Sequence, residues 1–218
     1  MRLLGVDEIA EGDAAVIRVA LDAPVDHDVT VRVDTRAGTA LAPGDYRAVH
    51  RRITLPAGET VVRLEITTAR DEVDEAREDF DVRLSRPVGA DLGRHRVTVT
   101  IRDRDPLPHV RVRNATVTEP KLGHRLGFTR VVLSAPSGRR VAVAFRTRGV
   151  TAAAGQDFVP LRPYVVFEPG DTSELVSVEL LSDDRVEPPE TMRLLVTEVR
   201  HATATRGATV TILDAPGG

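Results

Sequence analysis

The stretch RDEVDEAREDF, Arg70 to Phe80, sets six carboxylates among eleven residues and runs directly into the apolar segment FDVRLSRP. Ionised carboxylates only accept hydrogen bonds, and a pair about 4 Å apart repels by about 4 kcal/mol at an effective dielectric near 20. Gathered at one point, they must splay, take up protons or bind a cation. The plain alternative is a solvated charged loop. SDDRVEPPETM, Ser182 to Met192, occupies the corresponding place further along the chain. Pro188-Pro189 stops a regular helix from running through it. Asp74 and Asp79 have no acidic counterpart there, yet three acids keep both type and register: Asp71 with Asp183, Glu75 with Glu187, and Glu78 with Glu190. Random surface charge has no reason to hold that spacing.

Other acids fall where loops gather at one end of a sandwich. Glu11 in AEGD and Glu119 in TEP each stand just ahead of the first repeated strand motif. Asp45 and Asp157 close the motifs TALAPGDY and TAAAGQDF, Asp103 and Asp105 end the last strand of copy one, and Asp214 ends that of copy two. Copy one thus offers Glu11, Asp45, Asp71, Glu75, Glu78, Asp103 and Asp105. Copy two offers Glu119, Asp157, Asp183, Asp184, Glu187 and Asp214, a thinner set because Ala215-Pro216 stand where copy one has Arg104-Asp105. Oxygen ligands in such number, without His or Cys, suit Ca²⁺, which takes 6–8 oxygens in flexible geometry.

Catalytic chemistry is not signalled. The six histidines are scattered without metal spacing. Ser134, Ser137 and Ser173 lack a nucleophile-elbow context, no glycine-rich phosphate loop occurs, and nothing points to a cleft between paired acids. The expectation is a protein that is not an enzyme.

The elements that must position these acids come in two copies. VIRVALDAP (Val16 to Pro24) returns as FTRVVLSAP (Phe128 to Pro136), VTVRVDT as VAVAFRT, LPAGET as FEPGDT, and VTVTIRD as ATVTILD, at an offset of about 110 residues. That is one domain length, too long for a solenoid unit. Val29, Val31 and Val33 alternate with polar residues, as do Val141, Val143 and Phe145, the period of half-buried strands. Pro56 to Gly58 and Pro169-Gly170 read as turns. The expected fold is all-β: two tandem Ig-like antiparallel β-sandwiches, residues 1–105 and 106–218, joined by a short linker that Pro106 and Pro108 stiffen.

Composition narrows the partners. With no cysteine, disulfides and thiolate metal sites are excluded. A formal net charge of -3 and 3% aromatics, with no basic stripe carrying aromatics, speak against nucleic acid. No apolar run suits a signal peptide or a membrane span. Because motifs begin and end so close to the termini, the chain reads as a segment of a longer protein. Its expected location is extracellular or at a cell surface, with neighbouring domains of the parent chain and a protein or surface partner.

At these residues the chain resembles the Calx-beta domains of sodium/calcium exchangers, integrin β4 and bacterial surface proteins. Glu11-Gly12, GTALAPGDY, DEVDEAREDF and TIRDRD follow that family's order, and the resemblance runs over nearly the whole chain twice. It implies a β-sandwich that in exchangers binds several Ca²⁺ ions through its distal loops, with the acids named above as matching candidates. The reading is an adhesion or spacer segment of an exported bacterial protein, in which Ca²⁺ at Asp103 and Asp105 stiffens the junction beside Pro106 and Pro108; the same fold without metal would be a passive stalk or a partner-binding module. Arg104, in the middle of the terminal acids, and Arg70 and Arg77, flanking the loop, depart from the pattern and are expected to offset part of the charge.

Overall fold

The computed structural model describes residues 1–5, 7–182 and 185–215. The chain divides into two compact units, Met1–Glu72 with Ala76–Arg104, and Asp105–Gly218 with the short stretch Val73–Glu75. Regular structure among the described residues is β-strand, and no helix is long and apolar enough to cross a membrane.

The first unit contains β1 (Arg2–Leu4), β2 (Glu8–Ala10), β3 (Ala14–Ala20), β4 (Val29–Ala37), β5 (His50–Leu55), β6 (Val61–Thr67), β7 (Glu78–Val88) and β8 (Arg96–Arg102). They form two sheets, ordered β1-β3-β6 and β2-β8-β7-β4-β5. Alternation is the cause. Val29, Val31 and Val33 are fully buried while Thr30, Arg32 and Asp34 take the outer face. Ala15, Ile17 and Val19 of β3, Leu64 and Ile66 of β6, and Val97, Val99 and Ile101 of β8 complete the same core. Each such side chain contributes roughly 1.5–3 kcal/mol by leaving water. At the far end of the core Tyr46 stacks on Phe80, with ring centroids 4.2 Å apart and planes 12° off parallel.

The second unit contains β9 (His109–Val112), β10 (Ala115–Thr118), β11 (His124–Leu133), β12 (Val141–Gly149), β13 (Tyr164–Phe167), β14 (Ser173–Leu181), β15 (Glu190–Arg200), β16 (Thr203–Ala204) and β17 (Gly207–Leu213). Its sheets are ordered β14-β11-β9-β16 and β10-β17-β15-β12-β13. One part of the core gathers on Val141, Val143, Phe145 and Phe167, another on Val117, Phe158, Leu180, Met192 and Val210. Phe158 stands at the position of Tyr46, and Met192 at that of Phe80, 112 residues on. A flexible thioether fills the volume of the missing ring.

The expected turns form. Gly58 takes φ 85° after Pro56, and Gly170 takes φ 90° after Pro169, conformations that glycine adopts without steric cost. The sheets are not purely antiparallel, as the alternation suggested. β2 runs parallel to β8, β10 parallel to β17, and β16 parallel to β9. In the first unit the N-terminal segment lends β1 to one sheet and β2 to the other, so a short strand closes one edge of each. Short edge strands offer little unpaired backbone to another chain.

Candidate metal centres

In the first unit each acid is positioned by a feature of its neighbourhood. Asp45 directly precedes the buried Tyr46, which anchors its loop to the core. The Asp45 amide donates to the Leu41 carbonyl at 2.9 Å, and the Leu41 amide donates to Asp45 Oδ2 at 2.6 Å, closing a turn from both sides. Asp45 then offers a carboxylate oxygen within 4.8 Å of one from Glu78, the first residue of β7. Glu11 is held by its amide, which donates to the Arg102 carbonyl at 3.0 Å, and its Oε1 accepts the Asp71 amide at 3.2 Å. Glu11 and Asp103 likewise offer oxygens within 4.8 Å of each other. Asp105 and Glu75, also among the expected ligands, are counted with the second unit.

The flanking arginines turn elsewhere. Arg104 pairs with Asp13 at 2.9 Å and Arg77 with Glu8 at 3.5 Å, two acids outside the expected ligand set. Arg70 lays its aliphatic stem against Gly12, where an added Cβ would crowd the Arg70 Cβ at 3.2 Å. Two acids of the Arg70–Phe80 stretch do structural work that spacing did not foretell. Asp79 accepts the Thr39 amide at 2.9 Å and the Thr39 hydroxyl at 3.1 Å. Asp74, counted with the second unit, is buried there and accepts from Ser137 Oγ at 2.9 Å and from Arg139.

The second unit repeats the anchor. Asp157 precedes buried Phe158, its amide donates to the Ala153 carbonyl at 3.0 Å, and its Oδ2 accepts the Ala153 amide. Asp157, Glu187 and Glu190 bring oxygens within 4.8 Å of one another. Glu190 Oε2 is buried without a hydrogen-bond partner among the described residues. Burial first, then hydrogen bonding to and repulsion from Asp157, with the charges of Glu187 and Glu119 adding, push Glu190 up to about 7. Asp214 Oδ2 accepts the Glu187 amide at 3.2 Å, and the Glu119 amide donates to the Leu213 carbonyl at 2.9 Å, so both acids stand at the end of β17. Asp183 and Asp184 lie outside the described residues. Glu190 was not among the expected ligands; its register with Glu78 was the signal that pointed to it.

Oxygens bound to one Ca²⁺ at 2.3–2.6 Å can stand at most about 5 Å apart, so groups of carboxylates spanning 4.8 Å fit one coordination sphere. The donors are all oxygen, which suits a hard cation and not a thiophilic metal.

The Calx-beta domain pattern matches residues 5–105 and again residues 114–216. The chain belongs to the Calx-beta family. Copy-one candidates from Glu11 to Asp105 fall in the first matched Calx-beta domain, and those of copy two from Glu119 to Asp214 fall in the second. Among relatives, the human Extracellular matrix organizing protein FRAS1 is 28% identical over 206 residues, 86% of this chain and 5% of FRAS1. The Drosophila melanogaster Sodium/calcium exchanger Calx is 26% identical over 190 residues, 85% of this chain and 20% of the exchanger. This chain therefore corresponds to a small part of either relative. A crystal structure of the calcium binding domain CBD12 of CALX1.1 is 18% identical, with a TM-score of 0.45 over 99% of this chain and 100% of that one.

Proposed function

We propose that the chain is a calcium-binding tandem module, a non-catalytic adhesion or spacer segment of a larger exported protein. The observation that carries this reading is the carboxylate group at Asp157, Glu187 and Glu190. A buried carboxylate oxygen with no protein donor, held beside two further acids, is costly alone and is relieved by a cation. In the first repeat Glu11, Asp45, Asp71, Glu75, Glu78, Asp103 and Asp105 form the proposed ligand set; in the second, Glu119, Asp157, Glu187, Glu190 and Asp214. Similarity to FRAS1, a protein named for organising extracellular matrix, supports the extracellular placement. Calcium at Asp103 and Asp105 would also restrain the backbone entering the Pro106–Pro108 linker, whose flanking bonds otherwise swing.

Isothermal titration of Ca²⁺ into chelator-treated protein tests the binding: saturable heat is expected, with Mg²⁺ weaker because it demands strict octahedral geometry. Small-angle scattering tests the restraint, which predicts a narrower spread of maximum dimensions with Ca²⁺ and none in Asp105→Asn. A second reading keeps the fold without metal. It is favoured by the structural use of several acids, since Glu11 accepts the Asp71 amide and Asp45 closes its own turn. Absence of titration heat would leave that passive stalk as the function.

A further inference from the structure

β14 ends its sheet and pairs there with β11 alone. The ladder fixes which of its main-chain groups are used. The Leu133 amide donates to the Thr172 carbonyl at 2.9 Å, so the backbone groups of Glu174, Val176 and Val178 turn toward β11 and those of the odd-numbered residues turn away. Two of the odd positions are covered. The Val159 amide donates to the Glu179 carbonyl at 2.9 Å, and the Leu181 amide to the Asp157 carbonyl at 3.0 Å. Among the described residues no backbone group pairs with the outward N–H and C=O of Ser173, Leu175 and Ser177.

The other sheet edges are guarded. β1, β2, β10, β13 and β16 are two to four residues long, too short to template much pairing. β5 and β6 are longer, and both carry charge at a position whose backbone faces outward, Arg52 on β5 and Arg63 on β6. β14, nine residues long, has neither defence between Ser173 and Ser177. Its three open positions are uncharged, and Leu175 is 54% exposed. Phe128, diagonal to Leu175 on the same face, is 52% exposed.

We propose that β14 is a self-pairing edge, to which a second copy of this chain adds its own β14 antiparallel about a two-fold axis at Leu175. The open positions read Ser-Leu-Ser in either direction, and that symmetry favours a second copy over a foreign strand. Ser173 then lies opposite Ser177 of the second copy, and Leu175 opposite Leu175. Every open backbone group is used, and within the strand no two charges fall directly opposite. The first unit forbids the same pairing. Arg63 holds the place of Leu175, opposite Arg18 as Leu175 is opposite Arg130, so two copies of β6 would set Arg63 against Arg63. About five residues a side make a small interface, of the reversible kind below about 1,200 Å². The pairing uses no proposed metal ligand, so it stands apart from calcium binding.

Sedimentation equilibrium of the whole chain in chelator should show a reversible monomer–dimer equilibrium. Leu175→Lys, which sets two ammonium groups across the axis, should weaken it about tenfold, with the melting curve of the dilute chain unchanged. Leu122→Lys removes an exposed leucine from the loop between β10 and β11 and should leave association as in the parent. The chain has no cysteine, so disulfides can report the register. Ser173→Cys mixed with Ser177→Cys should form a covalent dimer, because Cα atoms of a hydrogen-bonded pair lie about 5.5 Å apart. Either variant alone should not, since its mates would lie about 14 Å apart along the strands. A chain still monomeric at about 1 mM would overturn the proposal and leave the edge to a strand of another protein. Undiminished association of Leu175→Lys, or disulfides forming as fast in either cysteine variant alone, would overturn it as well.

Discussion

Asp157 and Glu190 bring carboxylate oxygens within 4.8 Å of each other, and Glu190 is held up to about 7 against its ordinary 4.5. The native state therefore binds this proton more tightly than the unfolded chain does. Its contribution to ion-free stability is favourable at low pH and is lost as pH rises from about 4.5 to about 7. Calcium needs the ionised form, so the second repeat should bind Ca²⁺ more weakly as pH falls below about 7 and release a proton on binding. Calorimetry at about pH 6 in two buffers of different protonation heat should show release approaching one proton, and almost none near pH 8. No release at either pH would place Glu190 away from the ion.

Calcium should raise the melting temperature of the whole chain. A ligand that binds only the native state adds about 2.7 kcal/mol at a hundredfold excess over Kd, several degrees for a domain of this size. Scanning calorimetry in Ca²⁺, Mg²⁺ and chelator checks it, with Mg²⁺ giving the smaller shift. Coincident melts in all three would remove the case for a structural ion.

Much of this was legible before any coordinates. The second copy of each motif, the valine alternation of β4 and β12, and the Pro-Gly turns all appear in sequence because they act through neighbours close in the chain. The parallel pairing of β2 and β16 was not legible, since strands of two or three residues carry no pattern. Nor was the division of labour among the acids. Asp71, Asp74 and Asp79 look alike in sequence. Yet the Asp71 amide donates to Glu11, Asp74 accepts from Ser137 and Asp79 caps Thr39, through partners 40 to 63 residues away. Glu190 could have been read from its register with Glu78, but its burial could not.

Asp45 and Glu78 should separate structural from ligand roles. Asp45 Oδ2 accepts the Leu41 amide, so Asp45→Ala should cost about 1 kcal/mol even in chelator. Glu78→Gln keeps the shape and removes the charge. In chelator its loss should be smaller than that of Asp45→Ala, because Gln keeps the length and the acceptor oxygen of the side chain. In Ca²⁺ it should lose most of the gain. Chemical denaturation with and without Ca²⁺ distinguishes the two; an equal loss for both variants in chelator would mean that Glu78 is structural as well.

The loop that carries Asp45 depends on the ring behind it. Tyr46 is buried and stacked on Phe80 at 4.2 Å, and its main chain follows Asp45 without a break. Removing the ring leaves a cavity under the loop, so Tyr46→Ala should cost about 3–5 kcal/mol. Phe158 serves in the same place in the second unit without a hydroxyl, so Tyr46→Phe should cost under about 1.5 kcal/mol. The two variants then predict different calcium behaviour. Tyr46→Phe should keep the first repeat's affinity, because Asp45 stays where the ring sets it. Tyr46→Ala should lower that affinity beyond what its stability loss explains, at temperatures where the fold is still intact by circular dichroism. Unchanged titration curves for folded Tyr46→Ala would show that Asp45 is positioned by its turn alone and owes nothing to the aromatic stack.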